Sequence, residues 1–235
     1  MSATTGRVRH KNPASAVYSA RALPFVAAGG GRLMVDGDMK AEHRALVELS
    51  KALLNELARD IGAVIKGRPW NELSQSERRM LVRVIFATIE ALIYVMKQIA
   101  LAAHPDPKCP TISEAERAFA IERDFRLAPS GDVEQRTAKI PLETNIRFAF
   151  KLLAKAGTIP TALDVSGPEW QSLQAAIKVR DRITHPRSIS DLTISDAELS
   201  GVMIGFTWVV VSHLKLGNDL KAVLREQSET PSTNE

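Results

Sequence analysis

Cysteine is almost absent from this chain. Cys109 is the only one among 235 residues, which excludes an intrachain disulfide and any zinc site built from several thiolates. A lone thiol is compatible with a reducing compartment. Aromatic residues are scarce, at 5%. No apolar run reads as a membrane span, which needs about 18 residues. Gly201 to Leu214 is too short, and the longer stretch from Met80 to Ala103 carries Arg83, Glu90 and Lys97. Near the N-terminus, Pro24 interrupts a short apolar stretch behind Arg7, Arg9 and Lys11, so no signal peptide is read there. The expectation is a cytoplasmic protein without a membrane segment. Neither sign of charge dominates: 31 Lys and Arg against 27 Asp and Glu leave +4. That mild excess permits an anionic partner without demanding one. Gly29-Gly30-Gly31 lacks the spacing and the Lys-Ser/Thr of a phosphate loop, and no serine or cysteine sits in a nucleophile motif.

What is present describes a globular, helical chain. Hydrophobic residues make up 45% and charged residues 25%, ordinary for a folded domain. At about 150 residues per domain the length gives one or two domains. Residues 1–37 hold the three glycines, have no helical periodicity and read as a flexible basic arm, with Met34 an alternative start. Residues 226–235 read as a disordered tail, and 38–225 as one helical domain. Within it, Leu46, Leu49, Leu53, Leu57, Ile61 and Val64 step by three and four, one face of a first helix. Ser74 with Glu77, Thr111 with Glu114, Ser166 with Glu169 and Ser195 with Glu198 have the spacing of capping boxes and mark four further helix starts. A helix from Leu142 to Ala156 ends at Gly157, a glycine suited to a C-terminus. Ser130-Gly131, between short extended runs, predicts a small hairpin near 126–140. The fold class is all-α, a bundle of about six helices with that hairpin-like insert.

The fifth helix carries the chemistry. Trp170, Leu173, Ile177, Arg180 and Thr184 share a stripe, so Arg180 falls in line with core-facing residues. Asp181 and His185 are four apart, neighbours on one face, and a carboxylate beside an imidazole fixes its tautomer and raises its pKa. Lys178, Arg182 and Arg187 surround the pair. A histidine, an orienting acid and a guanidinium fork can move a proton and hold a phosphate. The same residues also suit a plainer role, because cations favour a helix C-terminus and His185 can cap the last carbonyls.

Arg180-Asp181-Arg182-Ile183-Thr184-His185 resembles the Arg, polar residue, three variable residues, His motif of the HEPN superfamily (higher eukaryotes and prokaryotes nucleotide-binding domains). The run Asp124 to Lys151 is similar to inserts in bacterial members, and Phe86 to Leu101 to their long first core helix. The resemblance spans roughly residues 75 to 222. Asp181 stands where asparagine is more frequent. A variant motif has tyrosine two residues after the histidine, where this chain has Arg187, so that variant is not carried over. The resemblance implies a helical, commonly dimeric protein and a metal-independent endoribonuclease of the toxin and defence type. It implies His185 as acid or base, Arg180 as the clamp on the scissile phosphate and Asp181 as orienter of His185 or of a partner residue; Lys178, Arg182 and Arg187, placed around the pair, are the candidate RNA-phosphate cations. It implies no cofactor and no metal, a composite site shared by a homodimer, and an RNA substrate; it also admits an antitoxin or other protein partner. The alternative is a non-catalytic module of the same kind that binds RNA, nucleotide or protein. Arg180 and His185 lie about 140° apart around a helix, so one helix does not present both to one phosphate.

Arg83, Glu90 and Lys97 are seven apart on the second helix. Glu90 is read either as a partner behind the Arg180/His185 cleft or, with the other two, as a solvated stripe. His213 falls on an apolar stripe and reads as a hydrogen-bonded core histidine. Gly201 and Gly205 have spacing for close helix packing, at a core contact or a dimer seam. Trp170 and Trp208 read as core anchors.

Overall fold

A computed structural model describes residues 36–103, 112–160 and 163–229. Most of the expected arm and the end of the expected tail lie outside these residues; Asp36 already starts the first helix and the last one runs to Glu229. Six α-helices are described: α1 (Asp36–Ile65), α2 (Gln75–Ala102), α3 (Glu114–Ala120), α4 (Leu142–Ala156), α5 (Pro168–Thr184) and α6 (Asp196–Glu229). Between α3 and α4 lies an antiparallel hairpin, β1 (Arg123–Leu127) and β2 (Val133–Thr137). The all-α bundle with a small insert is the observed architecture.

The core forms around α2. Leu81, Ile85, Ile89, Ile93, Met96 and Ala100 are buried, and α1, α3, α4, α5 and α6 all pack against this helix. Its start is a capping box: Ser74 Oγ accepts from the Glu77 amide, and the Glu77 carboxylate accepts from the Ser74 amide, which satisfies two otherwise orphan donors. Hydrogen bonds held by Arg68 and Ser74 lower the Glu77 pKa to about 2. Ser195 and Glu198 exchange the same pair of bonds at the start of α6. The other two expected boxes are not made. The cap of α3 is Ser113 with Glu116, two residues later than Thr111 with Glu114. At α5, Ser166 bonds Asp164 instead, and Gly167 in extended backbone precedes Pro168. Gly157 does close α4, but in ordinary backbone at φ −87°. The left-handed residue is Thr158. Space explains the glycine better, since a Cβ there would sit 2.6 Å from Leu220.

Two helical expectations shift in detail. The α1 stripe is buried only toward its end: Val64 is in the core, whereas Leu49 and Leu53 are exposed. Two segments, Gln75–Ala102 and Asp196–Leu220, are long and apolar enough to cross a membrane, contrary to the reading of no such stretch. The first is the core helix, and 56% of its apolar window is buried; the second is 28% buried. Gly205 gives α6 its close approach to α5, because a Cβ would meet the Leu173 Cα at 2.7 Å. Gly201 faces open space. Trp170 is buried and packs edge to face on Trp208, with centroids 5.5 Å apart, and the Arg147 guanidinium lies 4.8 Å over its ring.

Candidate functional site

Trp170, Leu173, Ala176, Val179 and Ile183 form the buried side of α5. Arg180 is therefore on the flank of the core stripe, one third exposed, and Thr184 is outside it. The cause is helical drift: steps of three and four starting from Trp170 pass through Ala176 and Val179 as well as Ile177, and the former face inward. From the flank Arg180 reaches α2. Its Nη2 donates to Glu90 Oε1 at 2.5 Å, and its Nη1 to Asp181 Oδ1 at 3.1 Å. Its guanidinium carbon lies 6.0 Å from the Phe86 ring centroid, at the outer limit of a cation–π contact. The Nε–H makes no hydrogen bond among the described residues, so part of the donor fork is open to a ligand.

The Glu90 side chain is about half exposed. Partial burial of its carboxyl nonetheless pushes its pKa above the ordinary glutamate value. Arg180 opposes the rise, and the negative charges of Glu122 and Asp181 add to it. The polar line of the sequence reading divides by residue. Arg83 is exposed, Glu90 engages Arg180, and Lys97 is fully buried, donating to Glu122 Oε1 at 2.8 Å and Asn145 Oδ1 at 3.3 Å. A seven-residue spacing drifts by about 20° per repeat on a straight helix, which turns Lys97 under the base of the hairpin. Glu122 there has a left-handed backbone, φ 57°, and its carbonyl accepts from the Ala138 amide.

His185 ends α5. Its backbone departs from the helix at φ −125°, ψ 58°, so the 140° separation derived for an intact helix no longer applies. Its amide donates to the Asp181 carbonyl at 3.0 Å. The ring is exposed and has no hydrogen-bond partner among the described residues. The expected carboxylate–imidazole pair is thus not made: the Asp181 carboxylate accepts from Arg180. Lys178 and Arg187 are exposed, and among the described residues their side chains have no hydrogen bond or ion pair. Arg182 is engaged, donating to the Thr193 carbonyl at 3.0 Å and to Glu198 at 2.6 Å.

The loop that follows is tightly held. The Asp191 carboxylate accepts from the amides of Arg187 and Ser188 at 2.8 and 2.9 Å, and these bonds lower its pKa. From α2, Arg79 donates to the Leu192 carbonyl and Gln75 exchanges two bonds with the Ile194 backbone. Buried Arg78 donates to the carbonyls of Leu73, Asn71 and Ile194 and pairs with Asp196 at 2.5 Å. Sequence reasoning missed Gln75, Arg78 and Arg79. Their position just inside a capping box was the available signal, but carbonyl targets more than a hundred residues away have no trace in local pattern.

Neither a protein-family model, nor a curated protein, nor a solved structure matches this chain. The geometry of the site brings Arg180, Asp181 and Glu90 together, leaves the side chains of His185, Lys178 and Arg187 exposed and without a partner among the described residues, and uses Arg182 to tie α5 to α6. Among the described residues, no three His, Cys, Asp or Glu side chains form a metal-binding group. His213, away from this site, has its Nδ1 buried without a hydrogen-bond partner among the described residues, where the sequence reading expects a hydrogen-bonded core histidine; burial lowers its pKa.

Proposed function

We propose that this chain is a metal-independent endoribonuclease whose site lies at the end of α5. One observation carries the reading. Arg180 is held at the surface by Glu90 with part of its fork open, on the same short segment as an exposed histidine with no ring partner. A positioned guanidinium can hold a phosphate and stabilise charge developing on it. An exposed imidazole can serve as acid or base toward a ribose 2′-hydroxyl or the leaving oxygen. Lys178 and Arg187 supply cations for neighbouring phosphates. The 2′-hydroxyl gives its proton to a base as its oxygen bonds to phosphorus, the P–O5′ bond breaks, the leaving 5′-oxygen takes a proton from an acid, and a 2′,3′-cyclic phosphate remains. Completion of the site by the same motif of a second copy, and restraint by an antitoxin, belong to this proposal.

A second reading has an observation of its own. Asp181 binds Arg180 and leaves His185 unoriented, so the segment also suits a non-catalytic surface that binds RNA. Incubating the full chain with end-labelled single-stranded RNA in EDTA separates the two. Fragments ending in cyclic phosphate support the ribonuclease. A gel shift without cleavage supports the binding module, and neither shift nor cleavage contradicts both.

A further inference from the structure

One strip of α2 stays exposed and runs past the Arg180 segment, carrying groups that the proposed function does not use. The helix is buried on most sides, but Met80, Arg83, Ala87, Glu90 and Tyr94 are exposed. They step by three and four, so they form one line along the helix. Glu90 holds Arg180 at the middle of that line. The Arg83 and Tyr94 side chains have no hydrogen bond or ion pair among the described residues, and Tyr94 is 46% exposed.

Hydrogen bonds fix the register of α2 against the segment that carries the site. Arg180 donates to Glu90, Arg79 to the Leu192 carbonyl, and Gln75 exchanges two bonds with the Ile194 backbone. Residue numbers fall along α2 as they rise along the other segment, so the two run antiparallel. That register sets Thr184 level with Ala87 and Arg187 level with Arg83. In the other direction it sets Ile177 level with Tyr94. At about 1.5 Å per residue, Arg83 stands about 10.5 Å from Glu90 along the axis, and Tyr94 about 6 Å from it on the other side. The small side chains of Ala87 and Thr184 separate the two levels that carry arginine.

Charge follows the same line. Glu90 and Asp181 are paired with Arg180, and Glu122 with Lys97. The Asp191 carboxylate is taken up by the backbone amides of Arg187 and Ser188. Arg83 and Arg187 have no such partner among the described residues, so the surplus at their end is positive and suits the phosphates of a polyanion. The exposed ring at the other end suits a base, since every base offers a π face.

We propose that the exposed strip of α2 is a track for single-stranded RNA, with Arg83 on a phosphate and Tyr94 stacked on a base, on opposite sides of Arg180. The track rests on the RNA reading of the α5 segment and adds two residues to it; it holds for a nuclease and for a non-catalytic RNA module alike. Both residues act in binding, not on the bond that breaks. A duplex keeps its bases stacked on one another and away from side-chain rings, so the substrate class is the unpaired strand.

Fluorescence anisotropy of the full chain with a 2′-O-methyl RNA of mixed sequence reads binding without cleavage, because the attacking hydroxyl is blocked. Arg83→Ala is expected to weaken binding and to lower the slope of log affinity against log salt by about 0.7, the share of one phosphate on a single strand. Tyr94→Leu is expected to weaken binding about fivefold or more with the salt slope unchanged, and Tyr94→Phe to bind as wild type does. Arg59→Ala, at an exposed position of α1, is the control and leaves both quantities unchanged. Thermal melts in the same buffer check that each variant is folded. Binding by wild type that Arg83→Ala and Tyr94→Leu both retain in full overturns the track and leaves the RNA reading standing. A loss in Arg59→Ala equal to that in Arg83→Ala assigns binding to diffuse charge and overturns the track as well. A duplex of the same sequence bound as tightly as the single strand overturns the role of Tyr94. No binding by wild type overturns the RNA reading and the track together.

Discussion

At the scale of single residues, Glu90 governs how available Arg180 is. Its carboxylate and that of Asp181 neutralise the guanidinium, so an RNA phosphate must displace at least one of them or bind through the remaining N–H groups. Glu90→Gln removes the competing charge while keeping a hydrogen-bond acceptor. It is expected to tighten binding of single-stranded RNA, measured at matched salt because phosphate contacts are salt-dependent. The carboxyl itself titrates above the ordinary glutamate range in the folded protein, chiefly because of burial. Since its folded pKa is raised, ionisation weakens the fold as pH climbs through that value, and the effect is absent below the unfolded pKa. Carbon-detected NMR titration checks both the direction and its causes. Arg180→Ala is expected to raise the Glu90 pKa further, because Arg180 is the group that lowers it, and Asp181→Asn to reduce it.

At the scale of elements, Gly205 and Gly201 share a helix and a spacing but not an environment. At Gly205 a Cβ would meet Leu173 backbone at 2.7 and 2.9 Å, and backbone does not yield as a flexible side-chain end does. Gly205→Ala is expected to cost about 1–3 kcal/mol by overpacking. Gly201→Ala, in open space, is expected to gain about 0.4–1 kcal/mol by restricting the unfolded chain. Urea denaturation of both variants measures the contrast. A second element-scale prediction concerns acid. The Lys155 ammonium, helped by Ser113, lowers the Glu116 pKa to about 2, which ties α3 to α4. A depressed carboxylate stabilises the fold fully above its unfolded pKa and loses that effect as pH falls toward the folded one. The melting temperature should decline between about pH 5 and pH 2, and Glu116→Gln should flatten that decline.

The same elements show what the sequence made legible. The helix starts at Ser74 and Ser195, the hairpin turn at Ser130-Gly131 and the motif at the end of α5 are local, since each depends on residues within a few positions of one another. Burial is not local. The apolar spacing in α1 gives no sign that Leu49 and Leu53 lack a partner, and the seven-residue spacing of Arg83, Glu90 and Lys97 hides three separate environments. Helix spacing pairs Asp181 with His185. The helix ends at that histidine, and the nearer guanidinium of Arg180 takes the carboxylate.

For the whole molecule, α2 and its polar side chains build the site from a distance. Gln75, Arg78 and Arg79 fix the loop after His185, Glu90 fixes Arg180, and Lys97 anchors the hairpin base through Glu122, whose charge is felt at Glu90. Arg180 and the loop after His185 are thus held from a core helix while Lys178, His185 and Arg187 stay exposed. The His185 ring has no hydrogen-bond partner among the described residues, so His185→Ala should change stability by less than about 0.5 kcal/mol. Arg180→Ala should cost about 10²–10³-fold in cleavage rate if its guanidinium stabilises charge at the phosphate.

The most direct test is single-turnover cleavage of single-stranded RNA in EDTA by wild type and His185→Ala, with thermal melts of both proteins in the same buffer. The account predicts cyclic-phosphate products from wild type, a loss of about 10²–10⁴-fold in the variant, and coincident melting curves. Equal cleavage by the two folded proteins, or none by wild type across sequences presenting all four bases, would contradict it.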